Sequence, residues 1–268
     1  MSEQPDQLMI AAYFTTGPQT VGDCLSTIKE VLGTLEQLTP WSRPFDVSGP
    51  VSRLNCLPVD EDMSNFEDLV FECWKAGKHV FYDAQGKRTL DIAPDKIPGR
   101  AIAVSFSDSI QRNDSTNRVD IRFSIGGDNE TRTPTIPYSI VIGIRNYKDA
   151  DTNAAWSTPS VVKAVMHYLI DRFSPVSCSA WDHKHLVNEI DGMTFDHKLN
   201  WLSYTANARV LDVLRTYPQS APYAQGLWIE LGEDARTIES ELARSRVVDM
   251  GRALLKADLP HSTSGLFG

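Results

Sequence analysis

Apolar residues recur along this chain with two different periods, and the places where the period changes predict its elements. Leu8 to Thr15 is a nearly unbroken apolar run that predicts a first strand, and Gly17-Pro18 breaks it. Thr20 then offers an N-cap with Asp23 three residues on, and Val21, Leu25, Ile28, Leu32 and Leu35 recur at steps of four, three, four and three. That is an amphipathic helix, ended by Leu38-Thr39-Pro40 because proline pushes the residue before it out of helical geometry. Ser64 to Glu67 reads as a capping box for a second helix carrying Phe66, Leu69, Val70, Cys73 and Trp74, with Gly77 as its stop. A short hairpin is predicted from residues 79–82 to residues 89–92.

The middle of the chain alternates. Ile102, Val104 and Phe106, then Val119, Ile121, Phe123 and Ile125, then Tyr138, Ile140, Ile142 and Ile144 give three successive strands, an antiparallel meander with one wet face. Thr158-Pro159 starts a helix with Val162, Val165, Leu169 and Phe173 inward, and Pro175 closes it. Three aromatic segments follow: residues 177–181, residues 199–205 and Gly226 to Leu231. In the last, Leu227, Ile229 and Leu231 share one face and Trp228 and Glu230 the other, which predicts a half-buried strand with Trp228 and Glu230 in water. A final helix is predicted from about Thr237 to Lys256, with Ala243, Val247, Met250 and Leu254 as its buried stripe. The order predicts an α+β fold, mainly antiparallel sheet with helices packed on it. It is read as a single domain over residues 1–268, or two closely packed halves, 1–98 and 99–260.

Composition narrows the function classes. A net charge of -9 argues against a nucleic-acid partner, whose phosphates demand clustered Lys and Arg, and suits a partner with a basic surface. No apolar run is long enough to span a bilayer, and Met1 to Gln7 carries two acids and no base, unlike a signal peptide; the expectation is a cytoplasmic chain with no membrane partner. Cys24, Cys56, Cys73 and Cys178 are widely spaced among apolar neighbours and read as buried free thiols.

Candidate chemistry is sparse. Asp182-His183-Lys184-His185 with Asp196-His197-Lys198 could make a divalent-metal site, since residues i and i+2 of a strand share a face. The lysines beside the proposed ion argue against it, and solvated turns account for both runs. Cys178 with His183 or His185 would be a thiol nucleophile and base, but a buried thiolate is disfavoured. Asp91 with Asp95-Lys96 falls short of a nuclease motif because Pro94 interrupts it, and Gly126-Gly127 lacks a following phosphate-loop lysine. The expectation is a protein with no catalytic residues, no metal and no cofactor.

The segment Asn200-Trp201-Leu202-Ser203-Tyr204, a polar gap, Gly226-Leu227-Trp228-Ile229-Glu230-Leu231 and a C-terminal helix together resemble the immunity protein 52 family, antitoxins of bacterial polymorphic-toxin and type VI secretion systems. The first strand and helix and the total length are similar too; where the family often has Gly before the Trp, this chain has Asn200. The resemblance implies a non-enzymatic α+β protein that binds and neutralises a cognate toxin, commonly a nuclease with a restriction-endonuclease-like fold. It offers no catalytic residues, and Trp201 and Tyr204 read as packing. From the residues themselves, the partner-binding candidates are Trp228 and Glu230, Glu233 and Asp234 in the next turn, and Tyr147, Asp149, Asp151 and Trp156 in the loop before the Thr158 helix. The competing reading for Trp228 is burial under a helix. The alternative functions are a metal-dependent enzyme using His183, His185 and Asp196, and an effector chaperone or adaptor.

Overall fold

A computed structural model describes residues 7–14, 21–41, 46–48, 57–70, 81–82, 88–89, 102–107, 119–125, 138–145, 155–182, 199–235 and 240–257. The fold is α+β, and the strand pairs of defined register are antiparallel. Two compact units divide the chain: one holds residues 1–15, 133–137 and 143–268, the other residues 16–132 and 138–142.

In the second unit the alternating runs become a meander. β6 (Ile102–Ser107) pairs with β7 (Val119–Ile125) with Val104 in register with Phe123 and Phe106 with Ile121, and β8 (Tyr138–Arg145), whose residues 138–142 belong to this unit, lies beside β7. β2 (Asp46–Ser48) and β3 (Leu57–Pro58) extend this sheet beyond β6, while β4 (Phe81–Tyr82) and β5 (Arg88–Thr89) form the predicted hairpin by themselves. The polar face of β7 is wet at Arg122, which is exposed. Asp120 on that face is buried, with its carboxylate 4.0 Å from Arg122 Nη2.

The helix α1 (Val21–Leu38) buries Leu25, Ile28, Leu32 and Leu35 as the spacing requires, with Cys24 and Val31 alongside them. Its end is chemical as well as steric. The Thr39 hydroxyl and amide both donate to the Leu35 carbonyl, at 2.6 and 2.9 Å, before Pro40. The expected capping box at Ser64 does not form. The Ser64 amide donates to Asp62 Oδ1 at 2.9 Å, and Glu67 instead takes Lys29 of α1 at 3.0 Å, because a salt bridge across 38 residues is open to it. Residues 66–70 are helical, and the rest of that predicted helix lies outside the described residues. Phe66 stacks on Phe106 at 5.8 Å between centroids, and Phe106 meets Phe123 edge-on at 5.8 Å, which ties this turn to the sheet.

Gly33 sits in the middle of α1, where a Cβ would meet nothing within 4 Å. A glycine in a helix interior costs conformational entropy that nothing here repays, so Gly33→Ala is expected to raise stability by about 1 kcal/mol. Thermal unfolding followed by circular dichroism should show a midpoint higher by roughly 2 °C or more; an unchanged or lower midpoint would contradict the open space at this position.

The first unit has the strand order β11-β12-β10-β9-β1. These are β1 (Gln7–Phe14), β9 (Ser177–Asp182), β10 (Leu202–Thr205), β11 (Ser220–Tyr223) and β12 (Gly226–Glu230). The register places Ile10 opposite Ala180, Ala180 opposite Leu202 and Leu202 opposite Glu230, so these four share a face with Cys178, Tyr204 and Trp228. Helix α2 (Pro159–Phe173) covers that face. Val162, Val165, Met166, Leu169 and Ile170 are buried, and Phe173 stacks on Phe14 at 5.2 Å.

Local chemistry fixes the ends of α2. Pro159 occupies the first turn, where no amide is needed, and Thr158 precedes it in an extended conformation, its hydroxyl donating to the Ala155 carbonyl at 3.0 Å. Ser174, at φ 45 and ψ 54, turns the chain left-handed, and Pro175 prevents another turn.

Two further helices belong to this unit among the described residues. In α3 (Ala208–Leu214) the Asn207 side chain accepts from the Arg209 amide at 3.1 Å. In α4 (Glu241–Lys256) Ser240 Oγ accepts from the Ala243 amide at 3.2 Å, and Ala243, Val247, Met250 and Leu254 are buried as predicted.

Candidate functional site

Three residues of α2 spaced by four, Lys163, His167 and Asp171, lie along one stripe of the helix beside its buried one. That stripe meets the last two strands of the sheet, β11 and β12. Glu230 of β12 receives Lys163, with Nζ 2.7 Å from Oε1. Both side chains are about one third exposed (32% and 36%), so the pair contributes at most about 1 kcal/mol and serves to orient. One helical turn on, the His167 ring stacks on Tyr223 of β11 at 4.6 Å and 17°, and meets Trp228 of β12 edge-on at 4.7 Å. A further turn on, Asp171 accepts from the Tyr223 hydroxyl, 3.1 Å to Oδ1 and 3.0 Å to Oδ2. Tyr204 of β10 stands edge-on to Tyr223 at 6.4 Å.

Electrostatics follow from this packing. Partial burial lowers the pKa of His167, and Lys163 pushes the same way while Asp171 opposes them; the imidazole is held toward its neutral form. Tyr223 is pushed up to about 12, by desolvation first and then by its hydrogen bond to Asp171, so the phenol remains a donor. Desolvation also raises Tyr204. The Cys178 thiol, fully buried opposite Tyr204, is driven well above the ordinary thiol range, and Cys24 is pushed up to about 12; both are free thiols and poor nucleophiles. Cys56 and Cys73 lie outside the described residues.

The β11–β12 hairpin is the outer edge of this sheet. Backbone groups of an edge strand alternate between bonding inward and facing out. The Gln219 carbonyl bonds inward, to the Glu230 amide at 3.0 Å, so positions 220 and 222 face out. Pro222 has no amide proton, and the Ser220 amide is already given to the Tyr217 carbonyl at 3.0 Å. Neither outward position offers a donor to an added strand. Ala221, Pro222, Ala224 and Gln225 are exposed, and Ala224 holds φ 48 in the turn.

Several sequence expectations change here. Trp228 is only 9% exposed, because α2 covers the face that alternation alone assigned to water; Glu230 on the same face is part-exposed but paired. Trp156 is 2% exposed and packs inside rather than anchoring a surface. Glu233 is exposed and Asp234 part-exposed, in the turn after β12. Tyr147, Asp149 and Asp151, and the metal candidates His183, His185, Asp196 and His197, lie outside the described residues. Trp201 and Tyr204 are buried, as the packing reading expects, and Trp201 Nε1 donates to the Gly232 carbonyl at 3.0 Å. Lys163, His167, Asp171 and Tyr223 were not singled out in the sequence. The four-residue spacing of the first three was the available signal, and Tyr223 carried none until its strand pairing was known.

Among the described residues no group of three or more His, Cys, Asp or Glu could hold a metal ion, and no helix is long and apolar enough to cross a membrane. No family model matches the chain, and no curated protein matches it in sequence. The resemblance to the immunity protein 52 family therefore rests on the residues quoted for it. Among solved structures, Pseudomonas aeruginosa T6SS protein PA0821 is similar over 91% of this chain and 73% of its own, with a TM-score of 0.48 and 13% identity.

Proposed function

We propose that this chain is an immunity protein that binds a cognate toxin stoichiometrically and neutralises it without catalysis, the toxin being a nuclease effector with a basic surface. The observation that carries the reading is the edge of the first unit, where Tyr223 and Asp171 stand at the surface with their geometry fixed by His167 and Trp228 behind them. A rigid aromatic beside a carboxylate is the composition of a protein-binding anchor, and the net charge of -9 complements a surface built to hold nucleic acid. The two segments that carry the family resemblance are hydrogen-bonded neighbours here, with Tyr204 opposite Trp228. They form the sheet on which this edge is built.

The test is co-expression with the product of the adjacent upstream gene. The expected result is a one-to-one complex on size exclusion and loss of the toxin's nuclease activity at equimolar ratio. A complex in which the toxin stays active would favour a chaperone or adaptor; no complex would remove the reading. Replacing His183, His185 and His197 together by Ala is expected to leave neutralisation intact. Stoichiometric zinc or manganese in the native protein, lost with function in that variant, would favour the metal-dependent enzyme instead.

A further inference from the structure

We infer that the exposed edge formed by Asp171 of α2 and Tyr223 of β11 receives an arginine side chain of the toxin, its guanidinium paired with the Asp171 carboxylate and lying against the tyrosine ring. The inference rests on the toxin-binding reading above and names the chemistry of the contact.

The charges favour it. Lys163, one of the cations on this side of α2, is engaged by Glu230 at 2.7 Å, and the neighbouring Arg172 lies over the Phe173 ring, 5.3 Å from its centroid. His167 is held toward neutrality by its part-buried stack. Asp171 is exposed, and its bonds from the Tyr223 hydroxyl leave further lone pairs for a second donor.

Preorganisation favours it as well. Tyr223 is fixed by stacking on His167, by Trp228 at 6.1 Å and by Asp171, so little freedom remains to be lost on binding. Tyr223 is part-exposed, and Ala221, on the same face of β11, is exposed and small. The backbone of β11 offers no outward amide at Ser220 or Pro222, so adding a strand is disfavoured here and contact through side chains is the better route. Arginine suits the site better than lysine, because a planar guanidinium can pair with a carboxylate and stack on an aromatic ring at once, whereas an ammonium is a strongly hydrated point charge.

The first test titrates the isotope-labelled chain with capped Gly-Arg-Gly and, separately, with capped Gly-citrulline-Gly, which has nearly the same shape and no charge. Saturable shifts of the Tyr223 and His167 ring signals are expected with the arginine peptide alone, and their loss in Asp171→Asn. Unmoved ring signals, or an equal response to citrulline, would overturn the inference. The second test uses the purified toxin with Asp171→Asn and Tyr223→Ala, each first checked for a wild-type circular dichroism spectrum. Each substitution is expected to weaken binding about tenfold or more. Wild-type affinity in both variants would overturn the arginine contact and leave the immunity reading standing. Failure of the native chain to bind the toxin would overturn the immunity reading, and the peptide titration would still decide the arginine site.

Discussion

Trp201→Ala is expected to lower the unfolding free energy by about 3–5 kcal/mol, more than the other substitutions proposed among the described residues. Trp201 is fully buried, the largest such side chain among the described residues. Its removal would strand the Gly232 carbonyl, which accepts from Nε1 at 3.0 Å, and leave a void beside two pinned backbones. The Leu231 amide donates to the Trp201 carbonyl at 3.0 Å, so residues 201 and 231 are held together through the main chain and cannot collapse freely into the space. Urea unfolding gives the measurement. Trp201→Phe keeps most of the volume and loses the hydrogen bond, so its cost should be clearly smaller than that of Ala. Equal costs for the two would mean that the hydrogen bond rather than the packing dominates, and a cost below about 1 kcal/mol for Ala would place the ring outside the core.

How much of this was legible in the sequence depended on the range over which each feature is determined. The stripes of α1 and α4 were visible because four or more buried positions repeat at helical spacing within one segment, and the meander because β6, β7 and β8 each alternate over several residues. The short α3 and the four-residue β11 were not read, since neither holds enough turns or alternations to stand out; β11 exists by pairing with β12. Trp228 shows the sharper limit. Alternation within β12 places Trp228 opposite Leu227 and Ile229 correctly, but whether that second face is wet is decided by α2, which is more than fifty residues earlier. The same distance separates Asp171 from Tyr223, so their pairing could not be read from either segment alone.

The hairpin that presents Tyr223 depends on one position where only glycine fits, and Gly226→Ala is expected to destabilise the protein by about 3 kcal/mol. A Cβ at residue 226 would overlap the Thr205 carbonyl oxygen outright and lie 2.9 Å from its carbon and 3.0 Å from Tyr204 Cε2. A backbone oxygen cannot swing aside as the end of a side chain can. Thr205 is paired on one side with Leu227 and on the other with Ser177, so moving it disturbs three strands. Gly143→Ala provides the contrast. There a Cβ would meet Gln7 Nε2 at 2.9 Å and Met9 Sδ at 3.3 Å, both on flexible side chains able to yield, and a cost below about 1 kcal/mol is expected. Denaturant midpoints of the two variants should therefore separate clearly, with the Gly226 variant far the less stable. Because Gly226 is opposite Tyr223 in the hairpin, the same substitution should also shift the ring signals of Tyr223 and His167. A Gly226→Ala protein as stable as Gly143→Ala, with those signals unmoved, would mean that β10 and β12 do not approach so closely and that the edge carrying Tyr223 is built differently.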